Sequence, residues 1–390
     1  MRDFVTPSCE LLAVGEPTHR EPAFGLVRNE LFARLVETGF RSVALETDRV
    51  AALAVNDFVQ GGAGTLDAVM RHGFSHDFGE LDANRRLVAW MRAYNRNRPP
   101  EDWLAFHGFD TPTENYSAPS PRRYLEHARD YLNTARGLAL ALDIARLAGD
   151  DERWSRAEAV LDPAESPGAT PEAERLRSVA GDLLTALHTH RAELTAATSD
   201  AAWQRAATHL TAGLGLLRYH RQAARPLAPG PRLSRLLATR DGLMAANLLD
   251  IRSVEARRGP TLVHAHNSHL QPHQSTWSMG GLDCVWTGAG AVVGSLLGDR
   301  YAFVAGSLGR SEALGLGEPE PDSYEGVLQL RCAAWGLTAS TTIGPARART
   351  GTTPELGYFP LDRRIVEAAD AVLHIGDGAA VAAASPDHPR

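Results

Sequence analysis

LLAVGEPTH, residues 11–19, and TLVHAHNSH, residues 261–269, are the two segments from which the fold can be inferred. In each segment a short apolar run, typical of a buried strand, ends at a cluster of ionisable side chains. Ligands of open α/β sheets bind in the crevice beyond the carboxyl ends of the strands. We therefore expect the two segments to form halves of one site, although almost 250 residues separate them.

Three predicted strands in the first part of the chain lead into ionisable residues. The strand at 11–14 leads to His19, the strand at 42–45 to Glu46, and the strand at 102–106 to Asp110. The carboxyl ends of parallel strands meet at one edge of a sheet, so these side chains are expected to lie there together. The segments between these strands have apolar residues at helical spacing, which predicts helices. These helices are at 24–38, in the stretch that ends at residue 60, and at 81–94.

The amino-acid composition changes in the middle of the chain. Residues 121–257 are rich in Ala, Leu, Arg and Glu and contain few β-branched runs, which indicates packed helices. Strand patterns return at 261–263, 302–304 and 371–375. The predicted fold class is α/β, with a mostly parallel central sheet flanked by helices and a large inserted α-helical region. The expected boundaries are 1–120 for the first part of the α/β core, 121–257 for the helical insertion, 258–376 for the second part of the core, and 377–390 for a disordered tail.

Composition limits the classes of partner. The formal net charge of -7 and the pI near 6.1 provide no basic field for nucleic acid or an anionic membrane. No apolar run reaches the roughly eighteen residues of a membrane span, and no signal-peptide hydrophobic region opens the sequence. Three scattered cysteines without CxxC spacing suit reduced thiols. We expect a cytoplasmic protein that binds a small molecule.

Several common chemistries are excluded or unsupported. The 40 basic residues are all arginine, so a Schiff-base lysine and a P-loop lysine are both impossible. The glycines of 288–294 have the wrong spacing for a dinucleotide fingerprint, and the serine of 294–298 is misplaced for a nucleophile elbow. The remaining candidates are His, Glu and Arg side chains, which suit activation of water rather than formation of an acyl-enzyme.

Glu16 and His19 lie in a turn bracketed by Gly15 and Pro17. A histidine held beside a carboxylate can act as a general base near neutral pH. The alternative is that Glu16 caps the following helix and His19 is a half-exposed turn residue. Arg28 neutralises a carboxylate, binds a substrate oxygen with two hydrogen bonds, or is an ordinary exposed helix arginine. Glu46 is either catalytic or paired with an arginine.

His264, His266 and His269 form the second candidate cluster. Three histidines so close together raise the possibility of zinc, since imidazole is a common zinc ligand. Their spacing matches no standard zinc motif, so no metal is assigned. A hydrogen-bonded histidine network at a strand end is the other interpretation.

The sequence resembles the erythromycin esterase family in an ordered series of segments that spans most of the chain. GEPTH at 15–19, Arg28 and VALETD at 43–48 are similar to the opening of that family. The series continues with VNDFVQG at 55–61, WMRAYN at 90–95, FHGFD at 106–110, RDGLMAAN at 240–247 and AHNSH at 265–269.

The resemblance implies a metal-independent hydrolase that opens macrolide lactones with water and needs no cofactor. His19 would be the general base, and Glu16 and Glu46 would orient the base and the water or shuttle protons. His266 and His269 would stabilise the developing oxyanion. Arg28 would support the carboxylates.

The stretch 71–84 departs from the family, which puts macrolide specificity in doubt. Asn84 stands near a position where a glutamate is common in the family. Unexpected or unassigned polar residues near the cleft are expected to bind substrate, namely His72, His76, His107, Asp110 and His264.

Three hypotheses follow. The first is an ester or lactone hydrolase acting on a secondary metabolite such as a macrolide or a related polyketide antibiotic. The second keeps the fold and the His/Glu acid–base site but catalyses cyclisation, elimination or epoxide opening of a natural-product intermediate. The third is a haem- or metal-binding protein that uses the 264–269 histidines.

Overall fold

The computed structural model describes residues 6–136, 142–352 and 357–384. Its main sheet has seven strands in the order β3-β2-β4-β1-β7-β9-β8, and a separate hairpin consists of β5 and β6. All neighbours in the main sheet are parallel except β8, which runs antiparallel to β9. The strands are β1 (Leu11–Glu16), β2 (Ser42–Asp48), β3 (Ala105–Asp110), β4 (Thr261–His266), β5 (Gln274–Met279), β6 (Leu282–Thr287), β7 (Tyr301–Arg310), β8 (Trp335–Ala339) and β9 (Ala371–Asp377).

Helices follow most of the strands. The described helices are α1 (Pro22–Val36), α2 (Ala52–Val59), α3 (Leu66–His72), α4 (Asp82–Asn95), α5 (Arg122–Arg136), α6 (Ile144–Ala148), α7 (Glu152–Ser155), α8 (Ala157–Leu161), α9 (Pro171–Thr189), α10 (Arg191–Ala197), α11 (Asp200–Ala223), α12 (Pro229–Glu255), α13 (Asn267–Leu270), α14 (Ala289–Leu297), α15 (Tyr324–Gln329), α16 (Arg363–Ala368) and α17 (Gly378–Ala384). Within the described ranges, no helix combines the length and the apolar character that crossing a membrane requires.

The sheet is buried on both faces, as expected of a parallel sheet. On one face, Leu12 and Val14 of β1 pack with Phe24 and Leu31 of α1. On the other face, β1 and β4 pack against α12, with Leu248 among the buried residues. The alternation of side chains along each strand therefore assigns even-numbered residues of β1 to the α1 side and odd-numbered residues to the α12 side.

Helices α5 to α12 all lie between β3 and β4 in the chain. Six of them, namely α5, α6, α7, α9, α10 and α11, share a core of their own, in which Leu125, Trp154, Leu176 and Leu210 are buried. The large helical insertion and the mostly parallel sheet confirm the predicted fold class.

Two segments differ from the expectation. The third strand occupies 105–110, because Pro100 opens a 3₁₀ turn over Pro100–Asp102. The segment from 378 to 384, expected to belong to a disordered tail, forms α17, and its Val381 is buried against the core. The rest of that tail, 385–390, lies outside the described residues. The hairpin β5–β6 and the edge strand β8 had no counterpart in the sequence prediction.

Candidate active site

The parallel register places the carboxyl ends of β1, β4 and β2 side by side. Glu16, the last residue of β1, lies opposite His266 on β4. His264 lies opposite Leu45 on β2, and Glu46 follows Leu45 directly. Alternation along the strands puts Glu16 and the two histidines on the α1 face and Glu46 on the α12 face. The site therefore straddles the edge of the sheet.

His19 lies in the turn between β1 and α1. The turn ends at Glu21, whose carboxylate accepts a hydrogen bond from the Ala23 N–H and caps α1. His19 Nδ1 lies 2.7 Å from Glu16 Oε1. A carboxylate only accepts hydrogen bonds, so Nδ1 donates, and in the neutral ring Nε2 carries the lone pair. Burial alone lowers the pKa of His19, but Glu46 and Glu16 outweigh it and raise that pKa.

Glu16 also contacts His264. The second carboxylate oxygen, Oε2, lies 3.2 Å from His264 Nε2, while His264 Nδ1 lies 2.9 Å from the Val14 carbonyl oxygen. Both ring nitrogens of His264 therefore face acceptors, and both can donate only when the ring carries two protons. Burial raises the pKa of Glu16, but His264 and His19 outweigh it and hold that pKa well below its usual range.

Glu46 is held by three donors. Its Oε1 lies 3.3 Å from His269 Nε2 and accepts from Arg240 Nη2 at 3.1 Å. Its Oε2 accepts from the backbone N–H of His266 at 2.9 Å and lies 3.7 Å from His19 Nε2. Burial favours the neutral carboxyl, but the charges of His269, His19 and Arg240 keep the pKa of Glu46 well below its usual value. Glu46 is therefore a carboxylate at neutral pH.

His269 lies between two carboxylates and contacts both. Its Nδ1 lies 2.9 Å from Asp241 Oδ1, opposite the contact of Nε2 with Glu46. Asp241 in turn accepts hydrogen bonds from Trp286 Nε1 at 3.0 Å and from the Ala289 N–H at 2.8 Å. Burial lowers the pKa of His269, but Asp241 and Glu46 outweigh it and raise that pKa to about 10. Both ring nitrogens of this cation are occupied.

His266 is a neutral histidine. Burial and the charges of His19 and His269 lower its pKa to about 3. Its Nδ1 accepts from the Ser268 backbone N–H at 3.2 Å, so the proton resides on Nε2. Nε2 is buried and has no hydrogen-bond partner among the described residues. The ring lies 5.4 Å from that of His19 and 4.7 Å from that of Phe359.

Arg240 extends the network to β3. It donates from Nε to Asp110 Oδ1 at 3.0 Å and from Nη2 to Asp110 Oδ2 at 2.5 Å. His76 lies 3.0 Å from Asp110 through Nε2 and 2.8 Å from Glu114 through Nδ1. Burial opposes ionisation of Asp110, but Arg240 and His76 outweigh it and lower its pKa to about 2. His76 and Asp110 thus join the site as an ion-pair network.

The other predicted site residues lie farther away. Arg28 is buried beside the site and donates both Nε and Nη2 to Asn29 Oδ1, and among the described residues it makes no direct hydrogen bond to a carboxylate. His72 is exposed in the last turn of α3. His107 lies within β3, because this strand ends four residues later than predicted, and it contacts Glu255 at 2.8 Å. The structure does not bring His72 or His107 to the cluster.

Arg240 and Asp241 were not among the site residues predicted from the sequence. Both lie on α12, more than 190 residues from Glu46 in the chain. Their only signal was membership of the segment 240–247, where the resemblance was noted. Hydrophobic spacing along a long helix does not indicate which polar residue enters a distant site.

The residues of the site do not suit a metal. Within the described ranges, no group of three or more His, Cys, Asp or Glu side chains is arranged to hold one. A histidine ligand needs a free lone pair on a neutral ring. His264 and His269 instead direct both nitrogens at oxygen acceptors.

The fold and the site together define an α/β protein with histidine–glutamate pairs at the carboxyl edge of its sheet. The sequence profile of the Erythromycin esterase family matches residues 35–377. The chain belongs to the Erythromycin esterase family. This membership supports a hydrolase-like function. A comparison with curated proteins finds no match.

Solved structures share this fold. A Bacillus cereus protein has a TM-score of 0.67 at 17% identity, over 95% of this chain and 89% of its own. A mutant of the erythromycin esterase EreC, in its open conformation, has a TM-score of 0.66 at 18% identity, over 95% and 91%. A succinoglycan biosynthesis protein has a TM-score of 0.61 at 15% identity, over 95% and 88%. At these identities the likeness concerns the fold alone.

Proposed function

We propose that the protein hydrolyses an ester or lactone of a secondary metabolite, with His19 as the general base that activates water. The observation that carries the proposal is the pair His19 Nε2 and Glu46 Oε2, 3.7 Å apart. A water oxygen about 2.8 Å from both atoms would donate one proton to each, at ordinary hydrogen-bond lengths. The water would then be oriented by Glu46 and deprotonated by His19.

Glu16 supports this role for His19. Its hydrogen bond to Nδ1 fixes the ring orientation and leaves the lone pair on Nε2, the nitrogen nearest Glu46. When Nε2 takes a proton, the adjacent carboxylate stabilises the imidazolium that forms. An aspartate supports the histidine of serine hydrolases in the same way.

His266 is the better of the two candidates for oxyanion stabilisation. Its neutral ring has a proton on Nε2, and this nitrogen has no partner among the described residues. His269 would need a free N–H, but both of its nitrogens face carboxylates. We therefore assign His269 to the positioning and charge balance of Glu46. Arg28, His76 and Asp110 complete the surrounding charge network.

The proposed substrate is a small natural product. Family membership supports an ester or lactone such as a macrolide or a related polyketide. Part of the divergent stretch 71–84, namely residues 74, 78 and 80–84, lines the space in front of His19, and this favours a compound other than erythromycin itself. The three cysteines are free thiols, which suits the cytoplasmic location that we propose.

Mass spectrometry of the purified protein tests this function directly. We would incubate it in ¹⁸O-labelled water with a macrolide panel and with aliphatic esters and lactones. Hydrolysis adds one labelled water to a lactone, or yields a labelled acid from an ester. A product of unchanged mass would instead support cyclisation, and loss of a small molecule would support elimination.

His19→Ala should reduce kcat/KM about 100- to 10,000-fold, the usual contribution of a positioned base. His190→Ala is the matched control, because His190 also pairs with a glutamate three residues away, Glu193, and its side chain is 32% exposed against 33% for His19. The control should retain wild-type turnover. Near-wild-type turnover of folded His19→Ala would refute the assignment of the base.

A further inference from the structure

A second cavity lies in the helical insertion, between α9 and the carboxyl end of α11, and we name it the α9–α11 cavity. Its volume is about 610 Å³, within the range of about 300–1,000 Å³ that is usual for small-molecule sites. Among the described residues, none lines both this cavity and the one in front of His19. Four arginines and one glutamate line it, which gives a formal charge of +3. They are Glu174, Arg177, Arg218, Arg221 and Arg225.

The positive charge of the cavity originates mainly in a stretch of sequence without acidic residues. Residues 201–240 contain seven arginines and neither aspartate nor glutamate, although the whole chain has a net charge of -7. Arg218, Arg221 and Arg225 follow one another at intervals of three and four residues, so they share one face of α11 and of the turn that follows it. Like charges at this spacing destabilise a helix. The cluster therefore needs an interaction that offsets the repulsion.

The described residues offset this repulsion only in part. Glu174 pairs with Arg177, whose Nη2 lies 2.6 Å from Oε1, and the same oxygen lies 4.0 Å from Arg221. Arg225 donates to a neutral side-chain amide, and no described carboxylate forms an ion pair with Arg218. The negative end of the α11 dipole acts on the last turn, which includes Arg221 but not Arg218. An anion from outside the chain would supply the missing charge.

A phosphate group matches the cavity better than a carboxylate does. A guanidinium donates two parallel N–H bonds to phosphate oxygens, and a phosphate monoester offers three such oxygens to several donors. A monoester carries about -1.5 to -2 charges at neutral pH, whereas a carboxylate carries one, so the phosphate neutralises more of the surplus. Ala169, Ala224 and Pro226 also line the cavity and can contact the carbon part of such a ligand.

We propose that the α9–α11 cavity binds the phosphate group of a small metabolite, held by Arg218, Arg221 and Arg225. Arg177 remains paired with Glu174 and forms part of the wall. The site is separate from the proposed active site, and the inference does not depend on ester hydrolysis. A protein that hydrolyses no ester should still bind phosphate here.

Protein-observed NMR of the arginine Nε–H groups tests the site without an assay of turnover. Pyrophosphate and methyl phosphate would be titrated into the whole chain at a constant ionic strength of about 0.15 M. An acetylated dipeptide of glutamate has a charge similar to that of pyrophosphate and is the carboxylate control. One pyrophosphate per chain should shift the signals of Arg218, Arg221 and Arg225 to saturation, and methyl phosphate should shift the same signals. Pyrophosphate should bind at least about 10-fold more tightly than the dipeptide.

A double variant, Arg218→Gln with Arg221→Gln, removes two of the proposed donors. It should bind pyrophosphate about 10- to 100-fold more weakly, the loss expected for hydrogen bonds to a charged group. Arg71→Gln with Arg257→Gln is the matched control, because both arginines are exposed, neither lines the cavity, and the net charge changes equally. Its affinity should stay within about 2-fold of the wild type, since distant charges are screened. Thermal unfolding would confirm that both double variants are folded.

Three results would overturn the site. Absence of saturable binding of either phosphate compound would remove the ligand class. An equal loss of affinity in both double variants would indicate an adventitious ion only, attracted by the overall charge. Equal or tighter binding of the dipeptide would show that the arginines prefer carboxylates, as a contact for an acidic protein segment would.

Discussion

Replacing Arg240 with methionine tests the charge network that joins α12 to the sheet. Arg240 donates to Asp110 and Glu46, both of which are nearly inaccessible to solvent. Methionine keeps most of the aliphatic volume and removes the cation. In the variant, Asp110 still has His76 as a cationic neighbour. Glu46 still has His269.

The magnitude follows from the pKa of Asp110. A pKa of about 2, against the ordinary 3.8, corresponds to about 2.5 kcal/mol of stability at neutral pH. Removing one partner of a buried ion pair costs about 3–5 kcal/mol. Because His76 and His269 remain, we expect a loss at the lower end, about 3 kcal/mol. With an unfolding entropy of about 2.1 cal/mol/K per residue over 390 residues, the melting temperature should fall by about 4 °C.

The pKa of Asp110 also determines how the stability loss of Arg240→Met should change with pH. In the wild type the depressed pKa of Asp110 contributes stability above the ordinary value of 3.8, and this contribution is lost as the pH falls toward about 2. In the variant, burial would dominate and raise that pKa, so the variant regains stability as the pH falls through the raised value. The deficit measured by calorimetry should therefore be smaller at about pH 4.5 than at about pH 7.

Two controls accompany the measurement. Arg235→Met removes an exposed arginine from the same helix and should change the stability by less than about 0.5 kcal/mol. Adding Asp110→Asn to Arg240→Met removes the stranded charge and should restore part of the loss. An unchanged melting temperature in Arg240→Met, or a deficit that is equal at both pH values, would refute this account of the network.

Three further predictions concern the site and its scaffold. Glu16→Gln should lower the raised pKa of His19 and so move the rising limb of the kcat/KM profile to lower pH, since the base must be neutral; an unmoved limb would contradict the pairing. Activity should survive exhaustive chelation, and a loss that only zinc restores would make the histidines a metal site. Gly306→Ala should lower both melting temperature and activity, because its Cβ would lie 2.3 Å from the Gly15 carbonyl oxygen, whereas Gly317→Ala enters open space and should be neutral.

The sequence contained enough information for the fold class and for the convergence of three strand ends. Apolar runs followed by Glu16, Glu46 and His264 are local signals, and parallel pairing turns them into neighbours. The position of His107 within its strand was not predicted correctly. A shift of the strand from 102–106 to 105–110 moved this histidine from the expected edge into the sheet, where it meets Glu255 instead.

Structural features that produce no local sequence pattern were not predicted. Strand β8 is an antiparallel edge strand of five residues, each of them half-buried, so it has neither a continuous apolar run nor strict alternation. Arg240 and Asp241 depend on how α12 is rotated against the sheet, which its scattered apolar residues do not determine. The hydrogen bond that Asn84 Nδ2 donates to the Phe78 carbonyl oxygen depends on a turn at 77–80, in which Asp77 has a left-handed backbone conformation.

The charges around His19 bear on the proposal that this histidine acts as a base. Two carboxylates beside one histidine would together raise its pKa and hold it protonated, which would abolish its basicity at neutral pH. Each carboxylate also contacts a side chain other than His19: Glu16 contacts His264, and Glu46 contacts His269 and Arg240. The positive charge of His269 also acts on His19 directly and lowers its pKa. The neighbouring histidines and Arg240 therefore keep Glu16 and Glu46 ionised, and the charge of His269 limits how far these carboxylates raise the pKa of His19, the proposed base.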